Sequence, residues 1–233
     1  MNHAKHNIKS SWLIIVALFV CMLSVSCSHS NRGTRTKEGS IKFRITYLKS
    51  EKEYPIIGLL PSTLQMRFKD GKVILDLEGW LGIFKSSFIK DEKQNVFTLL
   101  KILNKRYLYV SNAGESYYGI SINPHIDIAF DDQTKDILGF DCQHALVTLP
   151  DSTNFDIYYT SDIKVGNPTV NTPLDKIPGM LLEFNLEMNG IPMRLEAIEF
   201  HNEKIPDSAF EIPEGFEKVD RAQMDDIFFG INK

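Results

Sequence analysis

Cys27 is the residue whose surroundings most clearly prepare it for chemistry. It closes the run Leu23-Ser24-Val25-Ser26-Cys27, small residues leading up to a thiol. Ahead of it lie Lys5 and Lys9, then the twelve uncharged residues Trp12 to Leu23. Twelve apolar residues fall short of the ~20 that span a bilayer and match the core of an export signal. The reading is a lipoprotein signal peptide over residues 1–26, with Cys27 becoming the acylated N-terminus. Ser24 stands where such signals usually carry leucine, and Leu23 is one position early. Each buried methylene contributes about 0.8 kcal/mol, so several acyl chains on one residue anchor a protein stably. The residue directly after Cys27 is Ser28 and not aspartate, a pattern that points to the outer membrane of a bacterial envelope, facing the periplasm.

The other reactive side chains form weaker patterns. With Cys21 cleaved away and Cys27 acylated, Cys142 is the thiol that remains, so no intramolecular disulfide is expected. A lone cysteine is most often buried and inert. His144 sits two residues on, and Asp156 falls on the next expected strand, so a convergent His/Asp/Ser cluster is the form an enzyme would take here. Gly114-Glu115-Ser116-Tyr117-Tyr118-Gly119 misses the spacing of a nucleophile elbow, and no strand-to-helix switch follows it. Asp131, Asp132 and Asp136 read as acids around a solvated turn, without the spacing of a known calcium loop. The remaining histidines after residue 26, His29, His125 and His201, show no ligand spacing, so neither a metal nor a cofactor is expected, and no catalytic residue is assigned. A net charge of −4 argues against nucleic acid as a partner.

These residues must be positioned by strands. Hydrophobic residues at 43% and aromatics at 11% suit a folded domain. Ser28 to Ser40 is polar and aperiodic, so residues 27–40 read as the lipidated cysteine and a flexible tether. Residues 41–233 read as one domain. Period-2 alternation marks strands at 41–48, 63–69, 72–78, 85–90, 95–102, 106–110, 125–130, 137–149 and 154–163. The clearest stretch is Gly179 to Phe200, two one-faced strands joined by Asn189-Gly190, whose types suit the positive φ of a tight hairpin. Asp70-Gly71 makes a similar turn, and Asn104-Lys105 is read as another. Pro55 to Ser62 is a helical turn over a barrel mouth or a buried loop, and Gly79 to Phe84 is either core filling or an apolar lip. Arg221 to Phe229 has the spacing of a short amphipathic helix. The fold class is mainly β: a curved antiparallel sheet or open half-barrel of about 9–11 strands, with short helices at its mouth and C-terminus.

The one-sided strands define a candidate interior. Phe43, Ile45, Leu64, Met66, Phe68, Val73, Leu75, Leu182, Phe184, Met188, Met193 and Leu195 share the inward faces. Flexible methionines among aromatics suit an adaptable apolar cavity for a lipid or a hydrophobic protein segment. The same residues would equally pack a closed core.

Four motifs carry a resemblance: Ile137 to Ala145 (ILGFDCQHA), Phe155 to Ile163 (FDIYYTSDI), Ile177 to Leu182 (IPGMLL) and Ile205 to Phe216 (IPDSAFEIPEGF). In this order they resemble uncharacterised Bacteroidetes-type envelope lipoproteins, similar in turn to the lipoprotein-carrier (Lol-type) half-barrel. The resemblance implies a strongly curved sheet around an apolar space, without catalysis. The long first helix of the carriers has no counterpart here. The functional expectation is thus a membrane-anchored, non-catalytic module that binds an apolar ligand or hydrophobic segment, with a structural or assembly lipoprotein working through protein contacts as the alternative.

Overall fold

The computed structural model describes residues 36–79, 82, 84–165 and 169–231, with the side chains of 229–231 excepted. The signal peptide and Cys27 lie outside the described residues, as do residues 80, 81 and 83 of the apolar Gly79-to-Phe84 segment. The strands are β1 (Glu38–Tyr47), β2 (Thr63–Lys69), β3 (Lys72–Glu78), β4 (Phe84–Lys90), β5 (Val96–Ile102), β6 (Lys105–Val110) and β7 (Ile120–Ser121). They continue with β8 (Asp127–Ile137), β9 (Phe140–Thr148), β10 (Asn154–Thr160), β11 (Met180–Met188), β12 (Ile191–His201) and β13 (Glu217–Lys218). Helix α1 covers Arg221–Ile231.

All thirteen strands join one open sheet, in the order β13-β6-β5-β4-β3-β2-β1-β12-β11-β10-β9-β8, with β7 added to β11. Pairing is antiparallel except for β13 on β6. Two near-continuous meanders, β1 to β6 and β8 to β12, meet where β12 lies against β1. Short turns make the meanders. Asp70-Gly71 and Asn189-Gly190 both adopt positive φ, as expected of tight hairpins.

Several elements depart from the expected boundaries. β1 starts at Glu38, inside the segment read as tether, and Thr36 already bridges Ile163. Ser40 is buried there, so the domain takes hold of the chain before residue 41. The β5–β6 turn is Leu103-Asn104 rather than Asn104-Lys105, with Leu103 at φ 52°. Asp131 and Asp132 are not at a turn, since β8 runs on to Ile137 with its register shifting between Phe130 and Thr134; Asp136 does flank one, accepting from the Gly139 N–H at 3.2 Å. The strand read from Ile137 begins at Phe140, after a turn at Leu138-Gly139. Such bulges and left-handed non-glycine turns leave no period in the sequence, which is why alternation misplaced them.

Both faces of the sheet are covered in part. The largest cluster gathers residues of β1 to β5 and β8 to β12 and is closed over by Tyr117, Ile126, Val170, Leu174 and Ile177 from connecting segments. On the other face of β3–β5, Ile74, Ile89 and Leu99 pack under Ile205 and Phe210 of the segment after β12. A third cluster sets Met224 of α1 against Leu100, Tyr109, Tyr118 and Val219. The amphipathic spacing of α1 therefore serves docking, through a Met224 side chain with no exposure. Asp220 caps α1: its carboxylate accepts from the Gln223 N–H at 2.8 Å, while its own N–H donates to Gln223 Oε1 at 2.9 Å. Among the described residues no helix is long and apolar enough to cross a membrane.

Candidate functional site

The twelve inward residues are brought together as one group. Phe43, Ile45, Leu64, Met66, Phe68, Val73, Leu75, Leu182, Phe184, Met193 and Leu195 are 0–7% exposed within the main cluster, and Met188 packs against it half-buried. Phe43 and Phe184 meet edge to face with centroids 5.9 Å apart. Three clefts among the described residues are lined by other residues. A ligand reaching the twelve would have to displace side chains already in contact.

Two of these clefts lie at the rim, beside the N-terminus of α1; the third, of about 270 Å³, is lined by Ser161, Lys164 and Pro178 together with Ile163, Ile177 and Met180 of the main cluster. One cleft of about 360 Å³ runs between Tyr118, Gly119, Asn189, Arg221 and Asp225. A second, of about 720 Å³, lies across Arg221, against Tyr109, Asn112, Lys218 and Gln223. Their walls are rigid. The Tyr118 hydroxyl donates to Asp225 at 2.6 Å, the Tyr109 hydroxyl donates to Glu115 at 2.7 Å, and the Arg221 guanidinium lies over the Tyr118 ring at 5.4 Å. Gly119 holds φ +75° and packs so closely on Asn189 that any Cβ would strike its amide. The Asn189 N–H donates to the Gly119 carbonyl at 2.7 Å, which ties this segment to the β11–β12 turn. Arg221 is more than half exposed while Tyr109 and Tyr118 behind it are buried, so what the rim can offer a visiting surface is a cation and its neighbouring carboxylates.

His144 and Asp156 are within hydrogen-bond reach, as the enzyme reading required, but in a form that leaves no base. His144 Nε2 faces Asp156 at 3.1 Å, and Nδ1 faces Asp131 at 2.9 Å. Only the imidazolium donates from both nitrogens. Burial opposes that charge, yet the two hydrogen bonds and the charges of Asp131 and Asp156 outweigh it and raise the pKa above the usual histidine value. Asp131 is held below its usual range by the Gln133 N–H, despite partial desolvation, and by His144. With both nitrogens occupied, His144 has no free lone pair with which to activate a hydroxyl. Cys142 is fully buried, and burial pushes its thiol up to about 12, so little thiolate forms at neutral pH.

Asp131 was missed from the sequence because the bulge brings it there. In the register near the turn, where Thr134 faces Gln143, Gln133 would stand opposite His144; beyond the bulge Phe130 faces Ala145, which sets Asp131 level with His144. A second buried charge, Glu183 of β11, is gripped by Arg194 and, at 2.6 Å, by Lys135, whose ammonium lies 4.9 Å from the Tyr158 ring. Together these groups lace β8 to β12 with ion pairs. They hold the sheet and are already satisfied. Among the described residues no group of three or more His, Cys, Asp and Glu is placed to hold a metal ion.

No family model matches this chain, and no curated relative matches it. Two solved structures of a protein called PNGF-II, from different crystal forms, share its architecture with a TM-score of 0.52 each. They are 15% and 16% identical over 83% and 82% of this chain. The likeness covers 33% and 32% of PNGF-II, so this chain spans about a third of that protein. At this identity what the two share is the fold: a mainly β, open, curved sheet.

Proposed function

We propose that this protein is a lipid-anchored, non-catalytic component of the bacterial envelope that works by holding another protein at its surface. Acyl chains on Cys27 would fix it to the membrane, with the outer membrane as its destination and the sheet domain in the periplasm. The observation that favours a surface partner over a lipid in the interior is the state of the twelve inward residues. Eleven are no more than 7% exposed and belong to one contiguous cluster, and none of the twelve lines a cleft, while the two larger clefts flank the exposed Arg221. Tyr117, Ile126 and Leu174, from connecting segments, pack into the same cluster as the inward residues, which favours a filled interior.

The test is mass spectrometry of the protein purified from membranes, under denaturing and then native conditions. The expected result is a covalent acyl addition that disappears, with release from the membrane, in Cys27→Ala, and no second lipid bound non-covalently. An unmodified Cys27 overturns the anchor. A stoichiometric non-covalent lipid overturns the surface reading and restores the interior as the binding site.

A further inference from the structure

The hairpin of β5 and β6 carries features that folding alone disfavours. Lys85 of β4 stands directly opposite Lys101 of β5, and Lys101 directly opposite Arg106 of β6. Side chains so paired lie about 5 Å apart, and like charges in this position repel. Lys105 adds a fourth cation beside the turn. Lys85 has Asp76 at 3.9 Å and Glu78 opposite it on β3. Lys101, Lys105 and Arg106 are exposed and make no ion pair with the described residues. By strand alternation, Lys85, Lys101 and Arg106 share one face of the sheet with Ile89, Leu99 and Leu108.

The tip between these cations is apolar. Leu103 occupies the first turn position with φ 52° and is 64% exposed, the most exposed of the large hydrophobic residues described. A left-handed backbone disfavours leucine, and asparagine or glycine would be the stable choice. An exposed apolar side chain on a strained turn, ringed by unpaired cations, has the composition of a loop that enters the headgroup layer of an anionic membrane. The second left-handed leucine, Leu138, lies between Asp136 and Asp141 and lacks that chemistry.

We infer that the β5–β6 hairpin is a bilayer-contact site, in which Leu103 enters the interface of an anionic membrane while Lys101, Lys105 and Arg106 meet its phosphates. This contact is separate from the acyl anchor on Cys27, and it adds a second attachment to the surface-partner reading without depending on it.

The test uses residues 28–233, whose sheet and three clusters lie entirely after residue 35. Sedimentation with phosphatidylcholine vesicles is compared with and without phosphatidylglycerol. Binding is expected only with phosphatidylglycerol, and it weakens as salt is raised. Roughly a fivefold loss per neutralised cation follows from the strength of such contacts, so Lys101→Gln/Lys105→Gln/Arg106→Gln together lowers partitioning on the order of a hundredfold. Leu103→Asn is the sharper variant. It should weaken vesicle binding severalfold while raising the unfolding temperature, because it relieves both the turn and the exposure. Equal binding to both vesicle types, no binding to either, or binding that the triple variant leaves unchanged overturns the inference. Binding that soluble glycerol phosphate competes away, with Leu103→Asn as effective as the parent, also overturns it, in favour of a free anion site.

Discussion

Replacing His144 with phenylalanine tests whether the imidazolium clamp carries part of the sheet. Phenylalanine keeps a ring against Tyr158, whose centroid lies 5.1 Å from that of His144, and removes both donors. Asp131 and Asp156 are 40% and 53% exposed at their side chains, so each is rehydrated once released and no buried orphan charge is left. Hydrogen bonds to charged groups contribute about 1.5–3 kcal/mol each when sheltered. With carboxylates this open, screening reduces the pair to about 1–2 kcal/mol in total. For a domain of this size that corresponds to a fall in unfolding temperature of roughly 3–6 °C.

The effect depends on pH in a definite direction. The folded pKa of His144 is raised, so its contribution is complete below the unfolded value of about 6.5 and is lost as pH rises through the folded pKa. Asp131 is lowered, so its share is present above its unfolded value of about 3.9 and is lost only as pH falls through its folded pKa. The gap between parent and His144→Phe, followed by circular dichroism on heating, should be widest below the unfolded value, near pH 5.5, and should close as pH rises through the raised folded pKa. In alkaline solution a neutral His144 turns one lone pair toward a carboxylate, so the variant should equal or exceed the parent there. A gap that is constant or widens from acid to alkaline pH would show that His144 is neutral and acts only by packing.

Two further perturbations test the core and the rim. Phe184→Ala removes a 5%-exposed ring that meets Phe43, and should cost about 3–5 kcal/mol in urea unfolding; a loss under 1 kcal/mol would mean that the interior is loosely filled. Gly119→Ala strains a φ of +75° and drives a methyl into Asn189, so hydrogen exchange should quicken at the Asn189 amide and in β7 while β2 and β3 are unchanged; unaltered protection would dissolve the proposed rigidity of the rim.

Much of this protein was legible as local pattern. Alternation located nearly every long strand, because a sheet with a buried face writes its period of two directly into residue type. Asn189-Gly190 and Asp70-Gly71 announced their turns, since a tight hairpin needs positive φ and these residues tolerate it. Met66, Phe68, Phe184 and Leu195, which alternation places on inward faces, share one buried apolar cluster. Tertiary structure decided what alternation cannot encode. Whether that interior is open or filled depends on Tyr117, Ile126 and Leu174, which lie in aperiodic segments and reach it only through the path of the chain. The pairing of β1 with β12, 157 residues apart at Lys42 and Glu199, joins the meanders without any local signal. Asp156 was legible as a neighbour of His144, but the second partner of that histidine was hidden for the same reason: Asp131 lies level with it only because β8 slips register at a bulge, and register is set by the packing of both faces at once.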